Sequence, residues 1–201
     1  FNVTNTIIQF PFIAGLAYLV TKLIPGEDAI IEYKTQHLDP IFIEQSPAVA
    51  LGSAKEEVIR MGKFAVKGLE ETREFLTTKS QKHAEAAFQI EDAINNLDRK
   101  ITDYLVQISS RSLSEQESEK HAILADTVRD IERIGDHFEN IVELLNFQLE
   151  NKADFSDSAI EDLQSMFDLT LKTVSEALEA LDQHKNDLAV SVLRKERSID
   201  E

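Results

Sequence analysis

The chain contains no cysteine, which excludes disulfides and thiolate metal ligands and leaves the redox compartment unread. Glycine and proline are scarce, 6 and 4 of 201 residues, too few for a β-rich or low-complexity chain. Basic residues are also short in number. The 21 Lys and Arg stand against 37 Asp and Glu, a formal net charge of −16. Phosphate backbones require clustered cations, so this balance argues against nucleic acid as a partner and favours metal cations. None of the five histidines follows a glutamate by three residues, the spacing that di-iron carboxylate enzymes use. No nucleophile–base pair is evident either, and the chain is not expected to be an enzyme. What remains is 42% hydrophobic and 29% charged, the profile of a globular helical protein with one large or two small domains.

Charge is missing from residues 1–21, and "FPFIAGLAYLVTKLI" (10–24) is strongly apolar. A helix from Val3 to Ile24 would be about 33 Å long, enough to cross a bilayer. Residues 1–24 are therefore expected to form a transmembrane helix, with a buried soluble helix as the alternative. No basic n-region or small-residue cleavage site marks a signal peptide. Asn5, Gln9 and Pro11 interrupt the span, which is tolerable where other helices surround it. Lys22 favours a cytoplasmic C-terminal side. The first residue, Phe1 and not Met, reads as the start of a fragment.

Residues 25–46 mix polar and apolar side chains around prolines and read as a connector. Ser46-Pro47 then supplies an N-cap and a first-turn proline. Beyond it the apolar residues recur at alternating steps of three and four. Ala54, Val58, Met61, Ala65, Leu69 and Leu76 predict a helix over about 48–78. Ala87, Ile90, Ile94, Leu97, Ile101, Tyr104 and Ile108 predict another over about 81–110. Leu124, Val128, Ile131, Gly135, Phe138, Val142, Leu145 and Leu149 predict a third over about 115–150. Ser114 and Glu117 have capping-box spacing before it, as do Ser158 and Glu161 before a fourth helix over about 157–183. A fifth starts near Lys185. Short connections between long helices imply antiparallel neighbours.

A shift of 105 residues lays Met61, Phe64 and Leu69 on Met166, Leu169 and Val174. It also lays Ala84, Ala87, Glu91, Ile94 and Asn95 on Ala189, Val192, Glu196, Ile199 and Asp200. The expected fold is all-α: tandem antiparallel three-helix bundles, one over 47–155 and a truncated second over 156–201.

The segment "DIERIGDHFENIVE" (130–143) places Glu132, Asp136, Glu139 and Glu143 along one flank of the third seam. Glu91, Asn95 and Asp98 lie on the same flank of the second. Three motifs result: Glu132–Asp136, Glu196–Asp200 and Glu91–Asn95. Oxygens one turn apart on adjacent helices are what Mg²⁺, Mn²⁺ or iron require. A plainer reading is open too. Exposed like-charge pairs cost only about 0.2–0.5 kcal/mol each, so solvent could absorb the stripe, and Arg129 sits where it could pair with Glu132. Gly135 weighs against that, because a glycine costs about 1 kcal/mol against Ala inside a helix. In a seam it signals close approach by a neighbour. His137, Phe138 and Phe147 read as surface or packing residues.

"DIERIGDHFENI", with its ERIGDH core, closely resembles the signature helix of the PhoU family of phosphate-signalling proteins. The repeat of three-helix units over about 50–201 resembles that family as well. The front end, with "LDPIF" and "ALGSAKEEVIRMGKFA", is similar to bacterial sodium/phosphate cotransporters that bear a C-terminal PhoU-like domain. The resemblance implies multinuclear iron or zinc clusters held by acid-xxx-acid motifs. Glu132 with Asp136 and Glu196 with Asp200 match in full; Glu91 matches, but Asn95 departs from the expected acid, which implies a first cluster that is depleted, of lower nuclearity or absent. It further implies a domain that regulates phosphate transport and homeostasis. The transported substrate is phosphate, the partner is the transporter's own membrane domain, and a homo-oligomer is compatible. The location implied is the cell membrane, with the helical domain cytoplasmic. The rivals are a membrane-tethered signalling scaffold without a metal and a metal-dependent hydrolase or oxidase.

Overall fold

The computed structural model describes residues 34–153, 155–183 and 190–195. The expected membrane helix at 1–24 and the first part of the connector lie outside these residues. Among the described residues, no helix is long and apolar enough to cross a membrane.

The described elements are all helical: α1 (Pro40–Gln45), α2 (Pro47–Thr78), α3 (Gln81–Ser109), α4 (Glu115–Glu150) and α5 (Asp157–Gln183). Residues 190–195 are helical too. Each long helix begins and ends within a residue or so of its sequence-based bounds. The Ser46 hydroxyl accepts from the Ala48 N–H and Pro47 opens α2. Ser114 and Glu117 form a reciprocal capping box at α4. At α5 the cap is Ser156, not Ser158, since the Ala159 N–H donates to the Ser156 hydroxyl at 3.2 Å. The connector also holds a helix its composition hid. Asp39 accepts from the Ile41 N–H and Pro40 fills the first turn, so α1 has a proper start despite its six residues.

Helices α2, α3 and α4 pack pairwise as an antiparallel bundle, while α5 packs on α2. All predicted seam residues of α2 and α3 are buried, as are those of α4 up to Leu145; Leu149 is half-buried. The α2–α5 pairing is tight. Arg73 forks onto Asp168, with Nε 2.9 Å from Oδ1. A side chain at Gly62 would collide with Leu178, the added Cβ lying 2.3 Å from Leu178 Cδ2.

α5 ends at Gln183, 105 residues after Thr78 ends α2, the register of the repeat. Burial differs between the copies: Met61 is fully buried and Met166 is 54% exposed. The first sits at the centre of a complete bundle. The second lies on a helix that packs on α2 alone among the described residues.

Candidate cation-binding seam

The acid motifs come together along the α3–α4 groove. On α3, Glu91 is buried at 6% exposure, and Asn95 and Asp98 are half-buried. On α4, Glu132, Asp136 and Glu139 are half-buried and Glu143 is exposed. Both sets flank seams whose apolar members must face the core, so burying the seams carries the acids to the groove's edge. The helices run antiparallel, and the seven residues from Glu91 to Asp98 match the seven from Glu139 back to Glu132. The outcome is like-charge rungs one heptad apart.

Electrostatics register the crowding. Burial pushes the Glu91 carboxyl up to about 7, helped by the charges of Glu139, Asp92 and Asp136. Asn95 opposes this, donating its amide N–H to Glu91 Oε1. Burial also raises Asp98, with the Thr102 hydroxyl and Arg129 opposing it. Glu132 is raised by burial, then by Asp136 and Asp98. Glu139 is raised by burial, then by Glu143 and Asp136. Arg129 does not pair with Glu132; its guanidinium turns to Asp126 at 3.6 Å, where both side chains are exposed.

The structure therefore brings together four of the six residues singled out in the sequence: Glu91, Asn95, Glu132 and Asp136. Glu196 and Asp200 lie outside the described residues. The residues that complete the rungs, Asp98 and Glu139, carry the same heptad signal and fall outside the four-residue motif only by spacing. Oxygen donors and mutual repulsion fit a hard or borderline cation. Among the described residues, however, no three Asp, Glu or His side chains are grouped to hold a metal ion. The fit lies in donor type and charge, not in a preformed ligand shell.

Gly135 faces Ile94 on α3, as a seam glycine should. The approach is ordinary, because a Cβ there would meet Ile94 Cγ2 at 3.4 Å. Between α2 and α4, close packing instead requires the glycine at Gly68 of α2, where a Cβ would lie 2.3 Å from the Phe138 ring.

With this geometry in hand, comparison with known proteins shows what part of the chain is similar to. Residues 58–145 match the PhoU domain. The matched stretch runs from α2 to near the end of α4 and holds every rung of the seam. PhoU homolog 1 of Thermotoga maritima, named as an accessory protein of the phosphate-specific transport system, is 30% identical over 148 residues. That covers 73% of this chain and 63% of the relative. The candidate inorganic phosphate export proteins YjbB of Salmonella typhimurium and Escherichia coli K12 are 23% and 22% identical over 180 residues. Those alignments cover 89% of this chain, which spans 33% of each export protein's length. No solved structure matches the chain. An open groove of about 290 Å³ lies between α2 and α5 beside Ile59, Val66 and Leu178, away from the seam.

Proposed function

We propose that this chain is the regulatory part of a longer phosphate-transport protein, and that its α3–α4 seam binds metal cations. The observation that carries the reading is the crowding of acids within the matched segment. The segment similar to PhoU is the one whose buried and half-buried acids repel one another across two helices. Relatives named for phosphate transport and phosphate export support the substrate of the whole protein. The role is regulation, not catalysis, with Glu132, Asp136 and Glu91 as the principal ligands and Asn95 as a neutral oxygen donor. By the repeat, Glu196 and Asp200 would serve a second site. Iron or zinc is suggested by family resemblance, and Mg²⁺ or Mn²⁺ suits the all-oxygen donor set equally. The partner would be the membrane domain of the same protein, a sodium/phosphate cotransporter or export protein, with the helical domain on the cytoplasmic side.

When bound, a cation would supply charge compensation. The chain's own residues do the rest: the seams fix the spacing of the acids, and Asn95 holds the Glu91 carboxylate in place. Elemental analysis of purified protein, joined to phosphate flux in cells carrying the full-length transporter, tests the reading. Near-stoichiometric metal that Glu132→Gln/Asp136→Asn removes, with altered flux and normal expression, is the expected result. Metal below about a tenth of an ion per chain would favour a ligand-free scaffold.

A further inference from the structure

Away from the seam, a second acid is withdrawn from water. Glu57 of α2 has a fully buried side chain. Its Oε2 accepts the backbone N–H groups of Gln36 at 3.0 Å and His37 at 2.9 Å. Its Oε1 pairs with Arg60, one turn along the same helix. Two hydroxyls add to the hold. Ser53 donates to the His37 carbonyl, and Tyr104 of α3 donates to the Asp39 carbonyl at 3.0 Å. Of residues 34–46, Ile43 is the one with a buried side chain.

We propose that Glu57 is the clasp of a detachable connector, so that residues 36–45 dock on and leave the bundle as a unit while α2–α4 remain folded. The attachment rests on these polar contacts and on Ile43, whereas the bulk of the bundle's core comes from the three long helices. Release would leave Glu57 paired through Oε1, while its Oε2 and the Ser53 and Tyr104 hydroxyls would turn to water. Glu57 keeps Arg60, which also lies over the Phe64 ring at 5.2 Å. The freed Gln36 and His37 N–H groups would be taken up by water. A buried acid whose partners all came from distant segments would lack that second satisfied state and would act as a core staple. The proposal stands whether or not the seam binds metal.

Hydrogen exchange on the full 201-residue chain tests this, read by mass spectrometry on peptides covering 34–45 and the α3 core at 90–108. In the unaltered protein the 34–45 amides should exchange at least about tenfold faster than the core, the mark of local opening. Glu57→Gln should speed them by a further tenfold or so, as expected for losing hydrogen bonds to a charged group. It should leave the core peptides within about twofold. Tyr104→Phe should give a smaller change confined to the same peptides. Equal protection of connector and core in the unaltered protein would overturn the proposal without any variant. So would parallel acceleration of the core in Glu57→Gln, or no acceleration of 34–45.

Discussion

A carboxylic acid that titrates near neutrality inside a helix pair makes stability fall as pH rises. Glu91 moves from an ordinary value of 4.5 to about 7 on folding, so the folded chain holds a proton that the unfolded chain releases. The stabilisation from that proton is complete below about pH 4.5 and is lost as pH rises through 7. Glu91→Gln stays neutral throughout. It should gain on the order of 1–2 kcal/mol at pH 8, after allowance for solvent screening, and match the parent at pH 4. Urea unfolding at the two pH values measures the difference, and an equal effect at both would refute it. The glycines separate what a sequence tells from what it hides. Gly135 stands out because it breaks an apolar seam, yet its neighbour leaves room for a methyl group. Gly135→Ala should therefore be neutral or stabilising by up to about 1 kcal/mol. Gly68 occupies an inconspicuous place beside Leu69, and its partner Phe138 arrives from another helix. Gly68→Ala should cost about 1–3 kcal/mol through overpacking, read from the same unfolding curves.

At the scale of the element, the long helices were legible because each carried two agreeing signals, a seam and a cap. Ser114 shows the cap at work: with its capping box to Glu117 intact, Ser114→Ala should cost about 1 kcal/mol. Helix α1 escaped detection since six residues cannot display a period, and its start rests on Asp39 and Pro40 alone. The flank positions of the acids were legible from heptad phase. Their pairing was not, because which acid opposes which depends on how the antiparallel helices are staggered. That stagger sets Glu91 against Glu139, and Glu139→Lys exploits it. A cation there removes the largest of the charge effects that lift Glu91 and adds an attractive one. The Glu91 carboxyl, followed by NMR, should titrate well below 7, and stability at pH 8 should rise. A Glu91 titration unmoved by this change would show that the rung does not exist in solution.

For the whole molecule, composition and charge set the class of fold, but not whether a ligand binds. A net charge of −16 attracts any cation diffusely, and that attraction is screened at moderate salt. The rungs differ from this background because their acids are partly buried and repel at short range, where salt screens little. The two contributions can be told apart. In 150 mM NaCl, where diffuse attraction is largely suppressed, addition of Mn²⁺ or Fe²⁺ should still raise the unfolding temperature. A site filled at about a hundred times its dissociation constant adds about 2.7 kcal/mol. Glu132→Gln/Asp136→Asn should abolish the metal-dependent shift while leaving the metal-free protein as stable or more so, since it removes two repelling charges. A chelator should reverse the shift in the parent chain. An exposed control pair with the same charge change, Glu115→Gln/Glu119→Gln, should retain the full response. If the control loses it equally, the cations are responding to net charge alone, and the seam is only a crowded edge of the bundle.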